Sequence, residues 1–159
     1  MNTMSSVKKE VYDSKELASK YVASEIATLI TKNNAAGKKT ILGLATGSSP
    51  ITMYKELIRL HKEDGLSFKN VISFNLDEYL PMQPDSEKSY HYFMNVNLFD
   101  HIDINKANVH VPQGTLEESA VAEYCAKYES NIEAEGGLDI QILGIGRTGH
   151  IGFNEPGSS

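Results

Sequence analysis

An α/β fold, with a Rossmann-like parallel sheet flanked by helices, is the architecture this sequence predicts, and three observations lead to it. Short apolar runs without polar alternation recur at residues 40–45, 71–76 and 138–145, as suits strands buried on both faces. Segments with apolar residues at helical spacing separate them. Each apolar run ends in a loop rich in glycine, hydroxyl or acidic side chains, at the end of the strand where open α/β sheets bind ligands.

The elements follow in order. Residues 1–12 read as a polar lead-in, after which Ser14 can cap a helix carrying Leu17, Tyr21, Val22, Ile26, Leu29 and Ile30 on its apolar face. Asn33 to Lys39 ends that helix, and Thr40 to Ala45 forms the first strand. The chain turns at Thr46-Gly47-Ser48-Ser49. Ser49 is then expected as N-cap and Pro50 as first residue of a helix that buries Met53, Tyr54, Leu57, Ile58 and Leu60. A second strand, Val71 to Leu76, delivers Asp77-Glu78-Tyr79 into a loop that carries Pro81 and Pro84. Ser89 to Phe99 is expected as a short helix and Val109 to Val111 as a short strand. A longer helix spans Thr115 to Ala134, opened by a Thr115/Glu118 capping box and closed by Gly136-Gly137. Leu138 to Ile145 is the third strong strand. No repeat or low-complexity segment interrupts the order.

Composition narrows the function classes. A formal net charge of -6 and a pI near 5.3 provide no basic field for a polyanion, so nucleic acid and anionic membrane surface are excluded as expected partners. A small anionic substrate remains compatible, because a few local donors outweigh net charge. The single cysteine, Cys125, rules out an internal disulfide and a thiolate metal site. Its helical spacing with Val121, Tyr124 and Tyr128 reads as a core position. No apolar run approaches the roughly 20 residues of a membrane span, and Met1 to Glu10 lacks a signal-peptide hydrophobic stretch. The expectation is a soluble, cytoplasmic protein.

Three loops carry the chemistry. Thr46 to Ser49 combines flexible backbone, hydroxyls and a helix N-terminus, which suits a phosphate; the alternative is a plain strand-to-helix turn. Without a P-loop lysine, a nucleotide triphosphate is not expected. In the second loop, Asp77 or Glu78 follows a buried strand closely enough to be desolvated and act as a general base. Adjacent residues in extended chain point oppositely, so at most one faces a cleft, and the alternative is an acidic loop or helix cap. The third loop, Gly144-x-Gly146-x-x-Gly149-His150, is not followed by a helix, since Gly152, Pro156 and Gly157 break the pattern, which disfavours a dinucleotide. Its glycines permit close backbone approach to a ligand, and Glu155 is near enough in sequence to turn back on His150. A carboxylate on one imidazole nitrogen would fix the tautomer and leave the other for proton transfer.

Taken together, LGLATGSSP (42–50), SFNLDEYL (73–80), SYHYFM (89–94) and LGIGRTGHIGFNEPGSS (143–159) resemble the glucosamine-6-phosphate deaminase family. The ending GHIGFNEP differs from the corresponding loop of the related 6-phosphogluconolactonases. The resemblance implies conversion of glucosamine 6-phosphate to fructose 6-phosphate and ammonia, in amino-sugar and N-acetylglucosamine catabolism, by an enzyme of the hydrolase, aldose–ketose isomerising kind. It implies no metal and no organic cofactor, a small-molecule sugar phosphate as partner, and a possible homo-oligomer. By the same resemblance Asp77 is the base that moves a proton from C2 to C1, His150 assists ring opening, and Glu155 supports His150. Thr46, Gly47, Ser48 and Ser49 bind phosphate or nearby sugar oxygens, with the Gly146 backbone near the sugar.

Two departures from the family pattern stand out. The family loop reads G-x-G-x-D-G-H, with an aspartate where this chain has Thr148, next to Arg147. A threonine can hydrogen-bond but carries no charge. The family also continues past the position of Ser159, so residues 13–159 read as an incomplete sugar-phosphate isomerase/deaminase domain, truncated at the C-terminus and inactive alone. A catalytically weakened, sugar-phosphate-binding regulatory homologue is the alternative, followed by a related sugar-phosphate isomerase or lactonase.

Overall fold

The computed structural model describes residues 7–158. Of the lead-in expected over 1–12, residues 1–6 lie outside the described residues, and 7–12 form neither helix nor strand. Helix α1 (Lys15–Ala35) starts where expected, with the Ser14 hydroxyl accepting the Leu17 N–H at 3.1 Å. Its buried stripe runs through Ser19, Ala23, Ile26 and Ile30. Leu17 lies on the opposite side of the first turn, two residues from that stripe, and is 49% exposed rather than inward.

Strand β1 (Thr40–Leu44) is buried along its whole length. Helix α2 (Ile51–Asp64) follows, one residue later than predicted. Pro50 is the N-cap, its carbonyl accepting the Tyr54 N–H at 2.9 Å, and no side chain caps the helix. Ser49 is therefore free of the capping role, because the turn already closes on Pro50. Gly65, at φ 73°, ends the helix in the left-handed region that a side chain resists. Strand β2 (Val71–Asn75) is again wholly buried, and helix α3 (Tyr90–Asn97) is capped by Ser89, whose Oγ accepts from Tyr92 N at 2.9 Å.

Strand β3 (Val109–His110) precedes helix α4 (Val121–Ala134), which is shorter than the predicted 115–134. The Thr115/Glu118 capping box does not form: Thr115 Oγ1 accepts from Gln113 Nε2 at 3.0 Å, and a 3-10 turn at Glu118–Ala120 leads into the helix. Cys125 is exposed rather than a core residue, although it shares the helix face of Tyr128 and Ile132, which pack on the sheet. Strand β4 (Ile140–Gln141) is the core of the longer run expected at 138–145.

The sheet is parallel throughout, in the order β3-β2-β1-β4. Alternation along β1 and β2 sends side chains to two layers. Leu42, Leu44 and Val71 pack with α1, α2 and α3, whereas Ile41, Ile72 and Phe74 pack with Tyr128 and Ile132 of α4. Strand order reverses at β1: the chain steps to β2 and β3 on one side, then crosses by α4 to β4 on the other. Such a reversal opens a crevice at the carboxyl ends of the strands. β4 is an edge, so its continuation is uncovered, with Leu143 49% and Ile145 77% exposed.

One buried hydrogen bond ties α2 to the end of β1. Tyr54, fully buried, donates its hydroxyl to the carbonyl of Ala45 at 2.5 Å. Tyr54→Phe leaves that carbonyl without its partner and is expected to lower unfolding free energy by about 1–3 kcal/mol, read from urea denaturation.

Candidate active site

The three loops meet. Thr46–Ser49 after β1, Leu76 and Asp77 after β2, and Gly144–Gly146 with His150 beyond β4 line one cleft of ≈ 260 Å³, together with Tyr90, Gly152 and Phe153. It lies at the carboxyl ends of β1 and β4, where the strand order reverses. The backbone N–H groups of Gly47, Ser48 and Ser49 have no hydrogen-bond partner among the described residues. With the N-terminus of α2 behind them, they form a turn of the kind that can accept an anion. Lys15 donates to the Ser48 carbonyl at 2.8 Å and so fastens this turn to α1.

Asp77 and Glu78 separate as extended backbone requires. Asp77 lines the cleft. Burial, and secondarily the Glu78 carboxylate, raise its carboxyl above the ordinary range. Glu78 turns the other way and accepts from Tyr90 N and His91 N, both at 3.0 Å, at the start of α3. The cap reading of this pair thus falls to Glu78, and Asp77 is the acid that faces the cleft.

The glycine-rich loop closes on itself, with Gly146 N–H donating to the His150 carbonyl at 2.8 Å and Gly149 N–H to the Gly146 carbonyl at 2.9 Å. Gly146 lines the cleft, but its N–H is committed inside the loop and is not available to a sugar. A methyl group at Gly146 would overlap the His150 ring, so only glycine lets the imidazole lie there. No helix follows. Ile151 and Asn154 instead pair through two backbone hydrogen bonds of 3.1 and 3.0 Å, and this tight turn brings Glu155 back on His150. Thr148 Oγ1 lies 2.9 Å from His150 Nδ1 and 2.7 Å from Glu155 Oε2, while His150 Nδ1 lies 3.3 Å from Glu155 Oε1.

An aromatic wall, absent from the sequence-derived site, joins the second and third loops. The rings of Tyr79, Tyr90 and Phe153 sit 4.9 to 5.8 Å apart, and Tyr90 donates to the Tyr79 hydroxyl at 3.2 Å. Burial raises the Tyr90 phenol above its usual range. Helical spacing marks Tyr90 only as part of a short helix, and no periodicity points to Phe153. Gly152 lets the chain pass close to Asp77: a methyl there would come 3.3 Å from Asp77 Oδ2. Among the described residues, no three His, Cys, Asp or Glu side chains converge as a metal site.

The fold is a parallel α/β sheet whose cleft gathers a turn with unpaired N–H groups, a half-buried carboxylate and an imidazole bridged to a carboxylate. The family profile for glucosamine-6-phosphate isomerases/6-phosphogluconolactonase matches residues 13–152, and the chain belongs to that family. It is 52% identical over 138 residues to a glucosamine-6-phosphate deaminase of Thermoanaerobacter sp. (strain X514), covering 87% of this chain and 54% of that one. Against the glucosamine-6-phosphate deaminase of Shewanella woodyi it is 54% identical over 137 residues, covering 86% and 51%. The chain thus spans about half the length of these curated relatives. Among solved structures, a monomeric glucosamine-6-phosphate deaminase superposes with a TM-score of 0.86 at 41% identity, over 93% of this chain and 59% of that one. A 6-phosphogluconolactonase from Plasmodium vivax follows at TM-score 0.70 and 26% identity, over 89% and 47%.

The raised Asp77 carboxyl makes a stability prediction. A group that binds its proton more tightly in the folded state contributes stability at acid pH, and this is lost as pH rises through the raised value. Asp77→Asn is therefore expected to raise the urea midpoint modestly at neutral pH, with the gain shrinking as the pH falls into the range where Asp77 is protonated.

Proposed function

We propose that the chain carries the catalytic cleft of an isomerising deaminase that converts glucosamine 6-phosphate to fructose 6-phosphate and ammonia. Asp77 carries this reading: a desolvated carboxylate facing the cleft, poised to accept a proton from carbon. The C2 proton of an opened amino sugar is acidic because it lies beside the C1 carbonyl. Asp77 takes it while the carbonyl oxygen gains a proton, giving an enolamine, and returns it to C1. The resulting C2 imine adds water and releases ammonia. Ring opening must come first, and His150 serves it by moving a proton from the C1 hydroxyl to the ring oxygen, with Glu155 in support. Thr46, Gly47, Ser48 and Ser49 receive the phosphate or nearby sugar oxygens.

The deaminase names of the relatives near 50% identity support this reading over the lactonase one. A carbon base is needed for isomerisation, whereas lactone hydrolysis needs only an activated water. The lead-in at 1–12 and a domain starting at residue 13 belong to the same proposal, as does a cytoplasmic setting in amino-sugar catabolism.

The test joins this chain to the carboxyl-terminal remainder of the Thermoanaerobacter relative and measures ammonia and fructose 6-phosphate released from glucosamine 6-phosphate. Turnover is expected, reduced on the order of 10²–10⁴-fold by Asp77→Asn. Hydrolysis of 6-phosphogluconolactone without deamination would replace the proposal with the lactonase reading. Sugar-phosphate binding without any product would replace it with a regulatory role.

A further inference from the structure

The Thr148 hydroxyl lies between a carboxylate and an imidazole, and it has only one proton to give. Glu155, as a carboxylate, only accepts, so at 2.7 Å from Oε2 the hydroxyl proton is directed to Glu155. The lone pairs of Oγ1 are left facing His150 Nδ1 at 2.9 Å, and that contact is a hydrogen bond only if Nδ1 bears the proton. The 3.3 Å approach of Glu155 Oε1 to the same nitrogen points the same way, since a bare nitrogen lone pair would face a negative oxygen there. Nε2 has no partner among the described residues, and the ring lines the cleft.

We propose that Thr148 is a positioning residue. Its hydroxyl, bridging Glu155 and Nδ1, holds His150 in the Nδ1–H tautomer and leaves Nε2 as the unprotonated nitrogen available to a ligand. This reverses the preference of a free histidine side chain, which favours the proton on Nε2. The hairpin-like turn at Ile151–Asn154 and the closed loop at Gly146–His150 supply the rigidity, fixing Glu155 and His150 on either side of the hydroxyl. A neutral hydroxyl thereby does the orienting that a charged residue could do, without adding a second carboxylate beside Glu155. The value of this tautomer for catalysis rests on the proposed ring-opening step, in which Nε2 takes the proton of the C1 hydroxyl and hands it to the ring oxygen as the C1–O bond breaks. The tautomer itself does not depend on that step.

The experiment records ring nitrogen and carbon chemical shifts of the histidine-labelled chain, at a pH where imidazoles are neutral, with His150 identified by its loss in His150→Gln. His150 is expected to show a pyrrole-type Nδ1 and a pyridine-type Nε2. Thr148→Val, which keeps shape and removes the hydroxyl, is expected to shift His150 toward the Nε2–H form, and Thr148→Ser to retain the parent pattern. The remaining four of the five histidines act as internal references. An Nε2–H tautomer in the parent, or an unchanged His150 in Thr148→Val, overturns the proposal. Because no substrate is involved, the expected tautomer beside an absence of deaminase turnover in the joined protein would refute the proposed function and leave the role of Thr148 standing.

Discussion

The parallel pairing of β1 on both its edges is the constraint on which the cleft depends. β2 pairs along the full length of β1, from Thr40 opposite Val71 to Leu44 opposite Asn75. β4 pairs on the other side through Leu42 and Gly43 only. That shorter seam is reinforced by Asp139 N–H to the Ile41 carbonyl at 2.8 Å, Ile142 N–H to the Gly43 carbonyl at 2.9 Å, and Ile41 N–H to the Asp139 carboxylate at 2.8 Å. Gly43 has no side chain where the Gln141 side chain lies across it. Because all these strands run the same way, their loops leave at the same end, and the Thr46–Ser49 turn, Asp77 and His150 converge on one cleft.

Burial decides how residues of one chemical type divide their tasks within this frame. Asp77 and Glu78 are adjacent acids, yet one is desolvated at the cleft and the other saturates the first N–H groups of α3. The first arrangement leaves a half-buried carboxyl at the cleft, raised above its ordinary range by burial; the second stabilises the helix that carries Tyr90 into the site. Tyr79, Tyr90 and Phe153 then hold the second and third loops together by ring packing. Thr148 completes the arrangement, a hydroxyl joining carboxylate to imidazole across a turn closed by backbone hydrogen bonds.

Several readings failed for a common reason. The pairing of Ser49 and Pro50, the Thr115/Glu118 box and the inward Cys125 were each drawn from local spacing. In each case contacts that the spacing does not encode determined the outcome: the turn closes on Pro50, Thr115 meets Gln113, and Tyr128 and Ile132 pack on the sheet while Cys125 stays exposed. The same limit explains why the run at 138–145 pairs so briefly. Apolar sequence marks it as strand, but an edge position leaves Leu143 and Ile145 exposed.

By itself the sequence determined the alternation of strands and helices, the buried character of β1 and β2, and the identity of the loops that bear Thr46–Ser49, Asp77 and His150. Those properties are local, because apolar runs, turn residues and glycines act through the few residues around them. The strand order, the turning of Glu78 away from the cleft to cap α3, the aromatic wall and the Thr148 bridge were decided only by tertiary structure. Each depends on distances between residues far apart in the chain, or on which side of a strand or turn a side chain is left facing once its neighbours have packed.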